Sequence, residues 1–402
     1  MDILLSASQA LNQHLFPPSP GRQISGRTMN LMTGRWARTV VRGYRPRLFV
    51  AGSLLTTTVF VIVGHTCFTM KCQLSKTLYW MTPSSSSRSN SSQLEAVDND
   101  TVALASRPSN SGGYVTFGGG FGDGRGLGNQ LFDFATVVYV AELAGRRPAI
   151  LKFDYTIGLD HVFDLRDVDR FDDLCPCYDF NEAKSLTFDS RLDEVARADN
   201  AATRNRSIVV WGFWQSWKYT RSVDRRLRRH LLLLPKIEIF AADYFARTVP
   251  PSWRGGFTRV GIHVRRGDVV GADKVQFGYS TPTAKYFRKA MNYFTDRYDR
   301  VQFVVASNDA DWTYANVKAA PNASSSTVNV MYTPNLDGYH DFAILSLCDH
   351  IIMSTGTFGW WAAWLAKGTT IYYKNWPIVN TTLYRMFKYD DYFPPGWIPM
   401  GD

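Results

Sequence analysis

From Tyr114 onward the chain alternates short apolar runs with longer segments of helical periodicity. An apolar strand opens the region, and a glycine-rich turn, 118–128, follows it. The pattern then predicts a helix over 129–144 and a second strand over 148–153. Residues 154–205 are irregular and acidic. SIVVWG, 207–212, reads as another strand, with the aromatic cluster FWQSWKY just past its end. Pro250, Pro251, Gly255 and Gly256 then break the chain. Beyond them the alternation is regular. Strands are predicted at 258–264, 301–306, 328–332, 350–354 and 369–373, with helices at 283–298, 311–319, 339–348 and 358–366 between them. Such alternation predicts an α/β fold with a parallel, doubly wound sheet. The breakers place a boundary between an N-terminal half, 113–255, and a C-terminal half, 256–402.

Upstream the pattern is different. Residues 48–70 form a run of 23 without a charged side chain, long enough for a membrane-spanning helix. A signal peptide is the rival reading, but the run is long, starts late and is followed by no clear small-residue cleavage site. Residues 71–112 are rich in Ser, Asn and Pro and read as a stem. The formal charge of +10 suggests nucleic acid at first sight. Seven arginines against Asp2 in residues 1–47 place +6 of it in the tail, so no nucleic-acid partner is expected. Positive charge ahead of the span puts the tail in the cytosol and the body across the membrane. Tail, signal-anchor, stem and luminal body form the arrangement of a single-pass type II Golgi membrane protein. Sequons at Asn90, Asn99, Asn205, Asn322 and Asn380 all follow the span and agree with N-glycosylation. Cys175, Cys177, Cys348 and Cys72 allow several disulfide pairings.

Candidate chemistry gathers where predicted strands end. TRVGIHVRRGD, 258–268, runs from an apolar strand into Arg265, Arg266 and Asp268, with His263 inside the strand. Ser307, Asn308 and Asp309 end the next strand, and Ser354, Thr355, Thr357 and Phe358 follow another. In a parallel sheet these ends share one edge, where nucleotide-type ligands bind. Asp309-Ala-Asp311 also fits a divalent-metal motif of sugar transferases, against which the arginine pair offers guanidinium neutralisation of a diphosphate. The glycine-rich GDGRGLGN is by itself either a phosphate cradle or a tight turn. Trp214 and Trp217 are either core or a sugar-stacking wall.

These residues resemble a known family. His263-Val-Arg265-Arg266-Gly-Asp268 is similar to the H-x-R-R-x-D signature of α1,2- and α1,6-fucosyltransferases. Gly126-Leu-Gly128-Asn129-Gln130, Gly212–Tyr219, Ser307-Asn308-Asp309 with Trp312, His340–Asp349 and Ser354–Leu365 follow in the expected order. Together they resemble the α1,2-fucosyltransferases, glycosyltransferase family 11. Here Gly126, where several members have arginine, stands directly before the leucine of G-L-G-N-Q, so the family pattern does not carry over to Arg125.

The resemblance implies a GT-B-like arrangement of two Rossmann-type halves. It implies inverting transfer of fucose from GDP-β-L-fucose to the 2-hydroxyl of a galactose-terminated glycan, with no cofactor and no obligatory metal. Arg265, Asp268 and His263 are then the expected catalytic residues. Donor contacts are expected from Arg265, Arg266, Ser307, Asn308, Asp309, Ser354, Thr355, Thr357, Phe358, Gly128, Asn129 and Gln130, and acceptor contacts from Trp214, Trp217 and Asp341. The general base is open among Asp268, His263, Asp341 and Asp123. Adjacent strand residues point to opposite faces, so Arg265 is expected to meet the donor while Arg266 braces the turn through Asp268. An inactive glycan-binding protein of the same fold is the alternative.

Overall fold

Eleven strands, all parallel to their neighbours, form two sheets among the described residues. The computed structural model describes residues 113–118, 125–151, 157–171, 177–181, 186–198, 206–253, 255–321, 323–334 and 337–402. The chain divides into two units, Met1–Thr57 and Thr58–Asp402. The first lies outside the described residues, and both sheets belong to the second. The predicted membrane span, the stem, Asp123, Cys72, Cys175 and the sequons at Asn90, Asn99, Asn205 and Asn322 also lie outside the described residues. Among those described, no helix is long and apolar enough to cross a membrane.

The first sheet contains β1 (Tyr114–Phe117), β2 (Arg147–Leu151), β3 (Asp169–Phe171), β4 (Cys177–Asn181) and β5 (Ser207–Trp211), in the order β3-β2-β1-β5-β4. The second contains β6 (Thr258–Val264), β7 (Val301–Ser307), β8 (Val328–Tyr332), β9 (His350–Met353), β10 (Thr370–Tyr373) and β11 (Ile398–Met400), in the order β11-β10-β9-β6-β7-β8. Read from β8, the second order is that of a doubly wound dinucleotide fold, with its reversal between β6 and β9. β6 lies at the centre of this sheet and is buried from Val260 to Val264. Such two-sided burial selects an apolar run over strict alternation.

Six helices matter for the site: α1 (Leu127–Leu143), α2 (Pro235–Thr248), α3 (Ala272–Phe277), α4 (Ala284–Thr295), α5 (Gly338–Ser346) and α6 (Thr357–Ala366). α1 and α6 are buried on nearly every side, and they pack on each other as the joint between the sheets. A helix that is apolar all round can be stable only in such a position. α4 instead buries Tyr286, Phe287, Ala290, Met291 and Phe294 along one stripe and is capped by Thr283, whose hydroxyl accepts the Lys285 N–H. Burying each of these phenylalanines contributes about 2 kcal/mol.

Several elements differ from the sequence reading. The irregular 154–205 region holds β3 and β4, two short outer strands of the first sheet. α2 precedes the proline–glycine break yet packs on α5, and its Thr248 carbonyl accepts from Gln302 and Asn329 of the second sheet. The crossing between halves therefore begins before residue 250. The chain also returns: Asp391 takes an ion pair from Lys218, and its carbonyl accepts from Trp217 and Ser216. Cys348 is a free, buried thiol whose Sγ donates to the Ile344 carbonyl, so it joins no disulfide.

Candidate active site

The reversal in strand order opens a crevice at the ends of β6 and β9, and the chain feeds two of its predicted motifs into it. His263 pairs with Met353 in register, and the next residues on each strand lock together. The Ser354 N–H donates to the His263 carbonyl at 3.0 Å, and the Arg265 N–H donates to Ser354 Oγ at 2.8 Å. Beyond Arg265 the RRGD turn is held from β7. Asn308 Oδ1 accepts the N–H groups of Arg266 and Gly267, while its Nδ2 donates to Asp268 at 2.9 Å.

The two arginines part company here. Arg265 grips Asp268 through Nη2 at 2.6 Å and Nε at 3.1 Å. Arg266 points away, over the Trp312 ring at 4.5 Å, with Nη1 donating to Thr281 and an ion pair to Asp309 at 3.4 Å. The expected brace between Arg266 and Asp268 is thus absent, because the extended backbone sends Asp268's partner to the other face. Burial opposes the charge on Asp268, but the hydrogen bonds and charge of Arg265, with the Asn308 amide, outweigh it and hold the carboxyl below the usual carboxylate range. Gly356, at φ 89°, has no side chain because a Cβ there would stand 2.3 Å from Arg265 Nη1.

Two cavities meet at this pair. The smaller, of about 280 Å³, is walled entirely by the C-terminal half: His263, Ser307, Asn308, Asp337 and Asp341 line it. The larger, of about 500 Å³, lies between the halves, with Gly126–Asn129, Phe213 and Gln215 on one side and Tyr279, Thr357, Trp376 and Tyr392 on the other. Arg265, Asp268 and Phe358 line both. The N-terminal lining follows β1 and β5, the strands between which the first sheet's order turns. The larger cavity is therefore where the two sheets' switch points face each other. The N-termini of α1 and α6 both open onto it, and first-turn N–H groups carry partial positive charge.

Histidine and carboxylate chemistry divides between these spaces. His263 lies flat on Phe358 at 5.1 Å, is 7% exposed, and its Nδ1 finds no hydrogen-bond partner. Burial, assisted by the Arg265 charge, pushes its pKa down to about 3. It is neutral at working pH and a poor base, which removes it from the expected proton-transfer role. Burial raises Asp341 to about 6, against a hydrogen bond from Thr333. Asp341 belongs to the smaller cavity beside the predicted donor residues, so its expected place on the acceptor side is corrected. Trp214 is fully buried among Phe180 and Tyr219, and Trp217 lines a separate groove with Trp364 and Trp397. Neither faces the inter-half cavity, so neither forms a stacking wall there.

The glycine-rich motif also has a different task from the expected one. Gly128 packs against the Thr357–Phe358 backbone. Asn129 Oδ1 accepts from Thr357 Oγ1 at 2.9 Å and Gln215 Nε2 at 3.0 Å, tying the halves together. Gln130 is buried, donating to the Arg125 carbonyl and accepting the Leu159 N–H. It has no free face for a ligand. Arg125 has a structural role: its Nη1 donates to the Gly212 carbonyl at 2.8 Å and pairs with Asp133. Asp309 caps the helix Ala310–Asn316 by accepting the Trp312 N–H, and Ser307 Oγ accepts the Asp309 N–H and the Thr313 hydroxyl. Thr355 is buried with its hydroxyl unpartnered among the described residues. Asn380 is exposed. Tyr279, Trp376, Tyr392 and Asp337 escaped the sequence reading, since each stands outside the strand-end motifs; only the Asp337-Gly338 turn signal was locally visible.

Comparison with known proteins adds to this geometry. The model of glycosyl transferase family 11 matches residues 251–400. Galactoside alpha-(1,2)-fucosyltransferase 1 of Ateles belzebuth is 31% identical over 279 residues, covering 69% of this chain and 72% of that protein. The same enzyme of Alouatta caraya is 30% identical over 280 residues, with the same coverage of both chains. Among solved structures, fucosyltransferase NodZ from Bradyrhizobium aligns with 59% of this chain and 89% of its own at 16% identity and TM-score 0.38, a likeness too loose to support an inference.

Proposed function

We propose, for a chain that belongs to glycosyl transferase family 11, the galactoside α1,2-fucosyltransferases, the following division of the site. The enzyme transfers L-fucose from GDP-β-L-fucose to the 2-hydroxyl of a galactose, with inversion at the fucose carbon. Guanosine occupies the smaller cavity, where the two oxygens of the Asp341 carboxylate match the adjacent N1–H and N2–H₂ donors of guanine. The diphosphate lies at Arg265 and the N-terminus of α6, and fucose and galactose meet in the larger cavity. The observation that carries this reading is that Arg265 lines both cavities.

Chemistry follows from that placement. Acceptor O2 forms its bond to fucose C1 as the C1–O bond to the β-phosphate breaks, and the bonding pair leaves with GDP. Arg265 and the helix N–H groups stabilise the charge gathering on that phosphate. The diphosphate competes with Asp268 for the guanidinium. As Arg265 turns to phosphate, Asp268 loses the partner that keeps its pKa low and becomes a better base. It is the one carboxylate lining the larger cavity among the described residues, and it takes the O2 proton. Arg266 serves by holding the turn.

The uncharged run 48–70 supports a single-pass type II anchor, and the stem and sequons support a luminal body in the Golgi. The test is transfer of labelled fucose by the full chain to a galactoside, with linkage analysis and an EDTA arm. An α1,2 product that survives chelation is expected; no transfer to any galactoside overturns the reading, and transfer that EDTA abolishes overturns its metal-independence.

A further inference from the structure

Nine large apolar side chains are exposed among the described residues, and five of them belong to two segments that meet at Gly278. Val270, Val275 and Phe277 stand on or beside α3; Val379 and Tyr384 stand on the segment that meets its end. The two segments touch where the Ile378 N–H donates to the Gly278 carbonyl at 2.9 Å. A Cβ on Gly278 would meet Thr381 and Leu383 at 2.4 and 2.7 Å, so the contact is close. α3 buries none of its own residues. It leaves the catalytic turn at Asp268 and returns to the cavity wall at Phe277 and Tyr279.

This apolar rim is therefore continuous with the larger cavity through Phe277 and Leu383, both of which line it. One pair of its charges cancels locally, and its remaining cation is drawn back onto its own segment. Asp273 pairs with Lys274 at 3.5 Å, and Arg385 donates to the Asn380 carbonyl and Thr382 hydroxyl. Within the cavity the charged lining is Arg265 and Asp268, bound to each other. A cationic peptide finds no complement here, whereas an uncharged apolar group extends what the cavity begins.

We infer that the rim formed by Val270, Val275, Val379 and Tyr384 binds the apolar aglycone of the acceptor, so that galactosides carried on lipid are the preferred substrates. The inference rests on galactose entering the larger cavity. The sugar then projects its anomeric substituent through the mouth, and the rim is what that substituent meets. Burying a few methylene groups there lowers KM.

The test compares methyl and octyl β-galactoside, the latter below its micellar concentration, with the full chain and with Val270→Ser/Val275→Ser/Val379→Ser. The wild type is expected to favour the octyl acceptor by roughly tenfold in kcat/KM. The triple variant should bring that ratio near one while methyl β-galactoside turnover stays unchanged. A ratio near one in the wild type, or a preference that survives the triple substitution, overturns the inference while transfer to methyl β-galactoside upholds the function beneath it. A change in oligomeric mass with the preference intact assigns the rim to self-association and likewise overturns it. Absence of transfer to either acceptor overturns this inference, and the function beneath it falls as well only if every other galactoside also fails.

Discussion

Substituting Gly128 with alanine tests whether the joint between the halves sets the reaction geometry. A Cβ at this position would stand 2.4 Å from the Thr357 carbonyl carbon and 2.6 Å from the Phe358 nitrogen. Both are backbone atoms at the start of α6, and neither can swing aside as a side-chain tip would. Ordinary contact requires α1 and α6 to separate by about 1 Å. That movement stretches the Asn129–Thr357 bond, now 2.9 Å, and carries the N-terminal wall of the larger cavity away from Arg265. Overpacking of this kind costs about 1–3 kcal/mol of stability, or roughly 2–5 °C in Tm for a folded body of this size. Misplacing reacting groups by about 1 Å costs on the order of 100-fold in rate. The smaller cavity is walled by the C-terminal half alone and shares only Phe358 and the N-terminus of α6 with the clash, so GDP affinity should fall far less than the rate, by under about tenfold. Calorimetric titration of GDP, thermal unfolding and kcat/KM with a galactoside separate these effects. A Gly128→Ala enzyme with wild-type kcat/KM refutes the role given to the joint. One that loses GDP binding in proportion to its rate shows that the donor site does not lie in the C-terminal half alone.

Arg265→Lys keeps the charge but loses the fork that reaches phosphate, and kcat should fall about 10²–10³-fold; a loss under fivefold would move the diphosphate elsewhere. Arg266→Lys forfeits its stacking on Trp312, so Tm should drop by a few degrees while kcat/KM holds within about threefold; equal loss in the two lysine variants would erase the division between them. Asp341→Asn addresses a carboxyl raised from 3.8 to about 6 by burial. The folded state holds this proton more tightly than the unfolded one, so the group costs stability above pH 6, and the cost fades as pH falls toward 4. Removing the charge should therefore stabilise the unliganded enzyme by about 2–3 kcal/mol at pH 7.5 and by almost nothing at pH 4. Thermal unfolding at both values checks this, and an equal gain at each would show that the carboxylate's charge is not the cause. The same variant should lose discrimination of GDP over IDP, read by competition, because IDP lacks the N2 amine.

The middle of the second sheet is legible because β6 and β7 are long, central and apolar. β6, β7 and β8 fall where the runs at 258–264, 301–306 and 328–332 place them. β3 and β4 are harder to read. DRF and CYDFN mix acids with apolar residues, as short outer strands do when one side faces water. Helix ends shift by a few residues because caps, and not periodicity, stop them: α4 ends at Thr295 although its aromatic stripe runs on to Tyr298.

The site itself was half visible, for a reason that lies in topology. Local pattern places Arg265, Ser307 and Ser354 each at a strand end, but three strand ends make a site only if their strands are neighbours. That depends on β9 pairing with β6 while β7 takes the other side, an order that no local window encodes. Once it holds, Ser354 must face Arg265, and Gly356 must lack a side chain so that the guanidinium can pass. The order also explains the wrong assignments. Trp214 and Trp217 follow β5, whose end does approach the larger cavity, but Trp214 turns back into the core at φ 50° while Phe213 faces the opening. A sequence marks the loop that enters a site. Which of its residues faces inward is decided by one backbone dihedral, and here that dihedral exchanged a tryptophan for its neighbour.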